Sequence, residues 1–377
     1  MNSYLQSDGP FRYLLPNSAP EGKSLIFVPY WRLKGMMFSC SSNEIRHRIV
    51  DVSQQAIQSD LFPPSVGLRS QALKLKFATS GTPGQFLSPT LGMDAITELV
   101  DRRFSSLFPK PIVYQAYIGD TVSMIYAPYY VDDKLFDAVL NKPVSSILDT
   151  DSAVYALKGR QPGWTIRFLP TLCPHCGWDL KGKRDALVLH CENCDSAWKA
   201  TKKGFAKLSA SHLPDTSDTV VYMPFWRIKA SITGIQLESY ADLIRTANLP
   251  KAVLSGMEKI QFHFWSLAFK VRPENFLKLS TAITLAQPTD KLSPGPPRGA
   301  RYPVTLPLKE AVESLKINLA AFIKPRRKMM EILPEIEISP KSFILVYLPF
   351  QEKQHEYVQP RLTMAINKNL LAHARNL

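Results

Sequence analysis

Four of the five cysteines in this chain are spaced for chemistry. Cys173 and Cys176 lie in the run CPHCG and Cys191 and Cys194 in CENC, with fourteen residues between the pairs. Each Cys-x-x-Cys loop can turn two thiolates toward one point. The segment between them, WDLKGKRDALVLH at 178–190, is long enough to turn about Gly182 and Lys183 and return through the apolar run from Ala186 to Leu189. Two such pairs at this separation predict one tetrahedral zinc site held by Cys173, Cys176, Cys191 and Cys194. A shell closed by four cysteines leaves no position for water, so the ion is expected to be structural and not catalytic. His175 and His190 stand beside ligands but are not needed to complete the shell.

This segment resembles the zinc ribbon family, with a rubredoxin-like first knuckle, Cys173-Pro174-His175-Cys176-Gly177. In such knuckles the glycine supplies a positive φ and backbone N–H groups point at the sulfurs. Asp195 stands where the second knuckle would carry its glycine, and aspartate tolerates the left-handed conformation better than most residues. The resemblance covers residues 168–203 and implies one structural Zn2+, not a function. Ribbons of this kind occur in transcription, replication and ribosomal proteins and as protein-docking modules. The competing uses of paired cysteines are disulfides and a redox-active pair. The opening MNSYLQSDGP lacks the basic start and apolar block of a secretion signal, so a reducing, cytoplasmic compartment is expected, where disulfides are rare. Neither pair has the strand–helix context of a redox centre. Cys40, alone after a strand-like run, reads as a small buried residue.

A repeated motif must position much of the remaining chain. Residues 27–34 read FVPYWRLK and residues 222–229 read YMPFWRIK; shorter copies are YAPYY at 126–130 and YLPFQ at 347–351. Pro29, Pro128, Pro224 and Pro349 each follow an aromatic–aliphatic pair and precede another aromatic. Proline removes a ladder donor, so the motif predicts a kinked strand with the proline at an edge, a strand start or a bulge. Alternation sends Trp31 and Leu33 to one face and Arg32 and Lys34 to the other, and Trp226 and Ile228 opposite Arg227 and Lys229. The order around the motifs repeats as well. In the first half a strand at 71–78 precedes a helix at about 92–108. In the second, a strand at 262–271 and a Pro/Gly loop precede a helix at about 307–323. Apolar stripes mark both helices: Met93, Ile96, Leu99, Val100 and Phe104 in one, and Leu308, Ala311, Val312, Leu315 and Leu319 in the other.

The chain has 377 residues, 45% of them hydrophobic and 21% charged, which suits a packed protein of two or three domains. Thirty prolines against seventeen glycines argue against long helices. No run approaches the ~18 apolar residues of a membrane span, so membrane insertion is not expected. The net charge of +14 divides as +1 over 1–150, +5 over 151–210 and +8 over 211–377. Such an excess favours polyanionic partners or serves as solubilising charge. The candidate anion-binding residues are Arg32, Lys34, Arg227 and Lys229 on the motif strands and Lys181, Lys183 and Arg184 in the turn between the knuckles. Arg298 and Arg301 in the extended Pro-rich loop at 288–307 complete the set. No phosphate loop, dinucleotide fingerprint, nucleophile elbow or H-E-x-x-H occurs, and His263, between Phe262 and Phe264, reads as a sheet residue.

These features predict an α+β fold. Two related β-rich halves at 1–150 and 211–377, each with one principal helix, would flank a zinc ribbon at 168–203. The functional expectation is a non-catalytic interaction or assembly protein with a protein partner and the ribbon as docking module. Nucleic-acid binding through the basic ribbon and C-terminal half is the alternative. Homo-oligomerisation through an edge strand is left open.

Overall fold

A computed structural model describes residues 11–17, 22–42, 44–67, 75–92, 98, 111–144, 157–160, 169–183, 185–201, 203–215 and 219–373. The protein is β-rich with few helices, consistent with an α+β or mostly-β fold. It divides into two compact units: Met1–Met37, Arg48–Pro109 and Gly119–Phe168 form one, and Phe38–His47, Lys110–Ile118 and Leu169–Leu377 the other.

The first sheet contains, among the described residues, β1 (Arg12–Leu14), β2 (Ile26–Cys40), β3 (Ile45–Gln55), β4 (Leu75–Phe77), β5 (Gln85–Leu87), β6 (Tyr114–Val131), β7 (Leu135–Asp137), β8 (Lys142–Pro143) and β9 (Gly159–Arg160). Their order is β4-β1-β6-β2-β5-β9, with β3 paired to β2 and the β7–β8 pair joined to β6. Strand β1 runs parallel to β6, with Tyr13 opposite Tyr126, and antiparallel to β4. Both faces around the Pro29 motif are covered. Ile26, Val28 and Tyr30 pack with Ile57, Phe62 and Tyr129, whereas Phe27 packs with Phe11, Phe86 and Tyr126. This double burial explains the near-continuous apolar run LIFVPYW, which a half-exposed strand would break with polar residues.

In the second unit, β10 (Leu180–Lys181), β11 (Val188–Cys191), β12 (Ser196–Thr201) and β13 (Gly204–Leu208) form a four-stranded antiparallel sheet. The chain then enters β14 (Ala210–His212) and β15 (Val220–Ile232), and continues through helix α1 (Tyr240–Thr246), β16 (Phe264–Leu267), α2 (Pro273–Ala286) and β17 (Ser293–Pro294). Helices α3 (Leu308–Glu313), α4 (Leu315–Phe322) and α5 (Arg326–Ile332) follow. The chain closes with β18 (Ile338–Glu352), β19 (Glu356–Gln359), β20 (Met364–Asn367) and α6 (Lys368–His373). The sheet order is β16-β15-β18-β14-β17, with β19 and β20 extending from β18. Strand β13 completes the cysteine module and β14 lies parallel to β18.

The motif prolines lie within interior strands, not on sheet edges. Each sits where its strand changes partner. Tyr222 exchanges backbone bonds with Ala300 and Tyr302; two residues on, Pro224 accepts from Ala268 N–H at 3.1 Å, and antiparallel pairing with β16 begins. In β2, Ile26 and Phe27 pair parallel with β5, and Pro29 accepts from Ala56 N–H at 2.9 Å. At the changeover a residue without an N–H leaves no donor stranded between the two partners. The alternation after each proline follows the sequence: Trp31, Leu33, Trp226 and Ile228 are buried, Arg32 and Arg227 are half-buried, and Lys34 and Lys229 are exposed.

The helices depart most from expectation. The predicted helix at 307–323 exists as α3 and α4, broken at Ser314, whose hydroxyl turns back to the Ala311 carbonyl. It is not the principal helix. That is α2, which begins with proline at a first-turn position and buries Phe276, Leu279, Ser280, Ile283 and Thr284 on one face. The expected helix at 92–108 lies outside the described residues, apart from 92 and 98. Asp132 and Asp133 precede strand β7, and Asp132 pairs with Lys23 at 2.6 Å.

Candidate metal centre

The first knuckle forms because Cys173 donates its backbone N–H to the Trp178 carbonyl at 2.7 Å while its own carbonyl accepts from Gly177 N–H at 2.8 Å. Gly177 takes φ 75°, as a knuckle glycine must. In the second knuckle Cys191 ends β11 and Ser196 opens β12 directly opposite it. The turn between them is closed by Asp195 at φ 45°, the left-handed conformation expected of this substitute for glycine.

These two loops bring four sulfurs together. The Sγ atoms of Cys173, Cys176, Cys191 and Cys194 all lie within 4.8 Å of one another, with Cys173–Cys194 at 3.6 Å and Cys176–Cys191 at 3.4 Å. Such separations are far beyond a disulfide bond of ~2.05 Å. They bracket the ~3.8 Å edge of a tetrahedron with metal–sulfur bonds of ~2.3 Å. The residues are positioned to bind a metal ion, in an arrangement compatible with a zinc-ribbon-like site. All four thiols are free, and Cys173 and Cys191 are buried while Cys176 is exposed. Protons in the cluster are held unevenly. Burial pushes the Cys191 thiol up to about 12. Against its own burial, Cys173 is drawn down to about 6 by the backbone N–H groups of His175 and Cys176 and by Cys194 and Ser196. A divalent cation at the centre would erase this difference, because coordinated thiols are deprotonated. Ser196 Oγ lies 2.9 Å from Cys194 Sγ and 3.8 Å from Cys173 Sγ and accepts from the buried Trp198 Nε1 at 2.8 Å, which leaves its own proton for a sulfur. Such an outer partner orients a ligand and lowers its charge demand.

The module is fastened to the rest of its unit at several points. His190, a neighbour of Cys191, is buried and shares a 2.6 Å hydrogen bond with Tyr347, the first aromatic of the YLPFQ motif on β18. Burial, with Arg301 nearby, pushes the imidazole down to about 3, so it is neutral. Leu187 N–H donates to the Val304 carbonyl at 2.8 Å. Arg298 grips the Asp195 carboxylate at 2.9 Å and Arg301 reaches Glu192 at 3.4 Å. Gly295, at φ 81°, lets the loop approach so closely that a Cβ there would stand 2.9 Å from the Asp195 carbonyl oxygen. The Pro-rich loop at 288–307 is thus a support for the second knuckle.

Four of the candidate anion-binding residues, Arg32, Lys181, Arg298 and Arg301, pair with carboxylates of the chain itself. Arg32 is held by Asp51 through two bonds of 2.8 and 2.6 Å, in a pair whose side chains are 14% and 6% exposed. Lys181 pairs with Glu192 at 2.6 Å. Arg298 and Arg301 serve the module as described. Arg227 is half-buried with its guanidinium 5.9 Å from the Trp265 ring, and Lys229 donates to Gln261 at 3.2 Å. Lys34 and Lys183 are exposed, and Arg184 lies outside the described residues. Cys40 is buried, as expected, and burial pushes its thiol up to about 12. Ser196 and Tyr347 were not singled out as supports of the centre. The serine two residues after Cys194 was a local signal; the tyrosine was visible as a motif residue but not as a partner of His190.

No protein-family model matches this sequence, and neither a curated protein nor a solved structure matches it. No helix among the described residues is long and apolar enough to cross a membrane.

Proposed function

We propose that this chain is a non-catalytic interaction protein of two related β-rich repeats, with a structural zinc ribbon as its docking module. The observation that carries the docking reading is Trp178. It is 57% exposed at the end of the first knuckle, with Leu172, 50% exposed, across the same short ladder. Large apolar side chains held out on a braced, well-supported loop mark an interaction surface. The zinc reading is supported by the closed four-thiolate shell, which leaves no open coordination position for catalysis.

The repeat reading is supported by matched backbone bonds. Ala56 serves Pro29 as Ala268 serves Pro224; the carbonyl of Ala56 accepts from Thr90 and Leu91, and that of Ala268 from Thr305 and Leu306. Trp31 Nε1 donates to the Leu91 carbonyl at 2.8 Å, and Trp226 Nε1 to that of Leu306 at 3.0 Å. Strands β1 and β14 each lie parallel to the second motif strand of their half and antiparallel to a short partner. Nucleic-acid binding rests on the charge excess, and four of the residues offered for it, Arg32, Lys181, Arg298 and Arg301, are engaged with carboxylates.

The test is capture of partners from lysate with the full chain, with and without nuclease. Partners that survive nuclease and are lost on Trp178→Ala support docking through the knuckle. Partners lost with nuclease would favour the nucleic-acid reading, and capture unchanged by Trp178→Ala would refute the knuckle as the docking surface.

A further inference from the structure

The two long motif strands differ at one decisive place. In the first, Arg32 lies three residues beyond Pro29, and Asp51 lies five residues before Ala56, whose N–H bonds Pro29. Their side chains meet as a two-bond ion pair. In the second, Arg227 lies three residues beyond Pro224, and five residues before Ala268 stands His263. An imidazole therefore occupies the position that holds a carboxylate in the first strand pair. The Arg227 Nε is buried and, among the described residues, has no hydrogen-bond acceptor. Lys229 stands two residues further on the same face, and its ammonium is met by the neutral amide of Gln261. His263 is held neutral, down to about 4, by its burial first and then by the charge of Arg227. Burial also lowers the Arg227 guanidinium from its ordinary value.

A buried donor on a charged group is costly when unmade and strong when met by an ionised acceptor. The planar guanidinium fork matches a carboxylate with two parallel bonds, the geometry Arg32 already shows with Asp51. The flat Trp265 ring beside Arg227 suits the same planar group. We propose that Arg227, Lys229 and His263 form a carboxylate-binding site, in which an external carboxylate takes the place against Arg227 that Asp51 takes against Arg32. The site is separate from the knuckle carrying Trp178 and does not depend on docking there. Its ligand is either a free small carboxylate or a Glu or Asp side chain of an acidic peptide.

The experiment is thermal unfolding of the full chain in a low-salt buffer free of carboxylate and phosphate. It is titrated with acetate, with a short glutamate peptide and with inorganic phosphate, each against chloride at matched ionic strength. Binding to the folded state raises the midpoint saturably with ligand concentration. The wild type should respond to the peptide, with or without a response to acetate; a response to acetate as well identifies a free carboxylate as sufficient. Arg227→Gln should weaken the response by at least about tenfold. His263→Asp should install the internal carboxylate of the first strand pair, raising the midpoint without ligand and abolishing the response. A wild-type response no larger than with chloride, an unchanged response in His263→Asp, or a preference for phosphate would each overturn the proposal.

Discussion

Replacing Asp51 by alanine isolates what the motif arginine does in the first strand pair. The Arg32–Asp51 pair is nearly closed to water, at 14% and 6% side-chain exposure, and carries two charge-assisted bonds of 2.8 and 2.6 Å. Removing the carboxylate leaves a guanidinium that has lost its counter-charge and is only 14% exposed. Breaking one side of a buried pair costs about 3–5 kcal/mol. With a urea slope of about 2 kcal/mol per M, the unfolding midpoint should fall by about 2 M. The double variant Arg32→Met with Asp51→Leu should recover most of that loss, because apolar groups of similar volume need no partner. Urea denaturation of the wild type, Arg32→Met, Asp51→Leu and the double variant closes the cycle. A loss below about 1 kcal/mol in Asp51→Ala, the range of solvated surface pairs, would refute the structural role. Arg32 would then return to the set of residues available to an anionic partner.

Elemental analysis of the purified chain should find one zinc, and Cys191→Ser should lose it. Because the module is fastened through His190–Tyr347 and Arg298–Asp195, that loss should lower the thermal stability of the whole second unit, not of the knuckles alone. Gly295→Ala should destabilise by about 2 kcal/mol in denaturant, since it strains a positive φ and drives a methyl against the Asp195 carbonyl. His263 has a folded value of about 4, below its ordinary 6.5, so the unfolded chain binds the extra proton first. Its contribution is present above about 6.5 and is lost as pH falls through about 4; His263→Asn should flatten that part of the stability profile measured by thermal melts.

What the sequence could disclose follows from how local each determinant is. The four cysteines were legible because ligand spacing within each knuckle is fixed over four residues, and the left-handed Asp195 followed from the same local geometry. The burial of Trp31 and Trp226 was legible from strand alternation. Helix α2 was not, because the count of prolines argued against long helices. Yet Pro273 is a helix starter, and the apolar spacing of Phe276, Leu279 and Ile283 carries the helical period. The partners of the charged residues were the least accessible. Asp51 meets Arg32 from another strand, and His190 meets Tyr347 across 157 residues of sequence. Such pairings depend on tertiary register, which no spacing rule encodes.

The prolines illustrate why a sound local rule can still misplace an element. A proline donates nothing to a ladder, and this excludes it from positions where a neighbouring carbonyl waits, but it does not require that the whole strand lie on an edge. Along β15 the neighbour on one side changes between Tyr222, bonded to residues 300 and 302, and Phe225, paired with Leu267. At Pro224 only the carbonyl is used on that side, by Ala268. On that side the strand is bonded at Tyr222 and again from Phe225 to Ile228, and it is edge-like at Pro224 between them. An ordinary amino acid there would present an N–H between two partners with no carbonyl to receive it, and in a sheet covered on both faces such a donor is costly. Strand β2 meets the same constraint at Pro29, between the parallel partner β5 and the bond from Ala56, and meets it with the same residue type. The motif thus encodes a change of strand partner, and the aromatics on either side of the proline close the core around it.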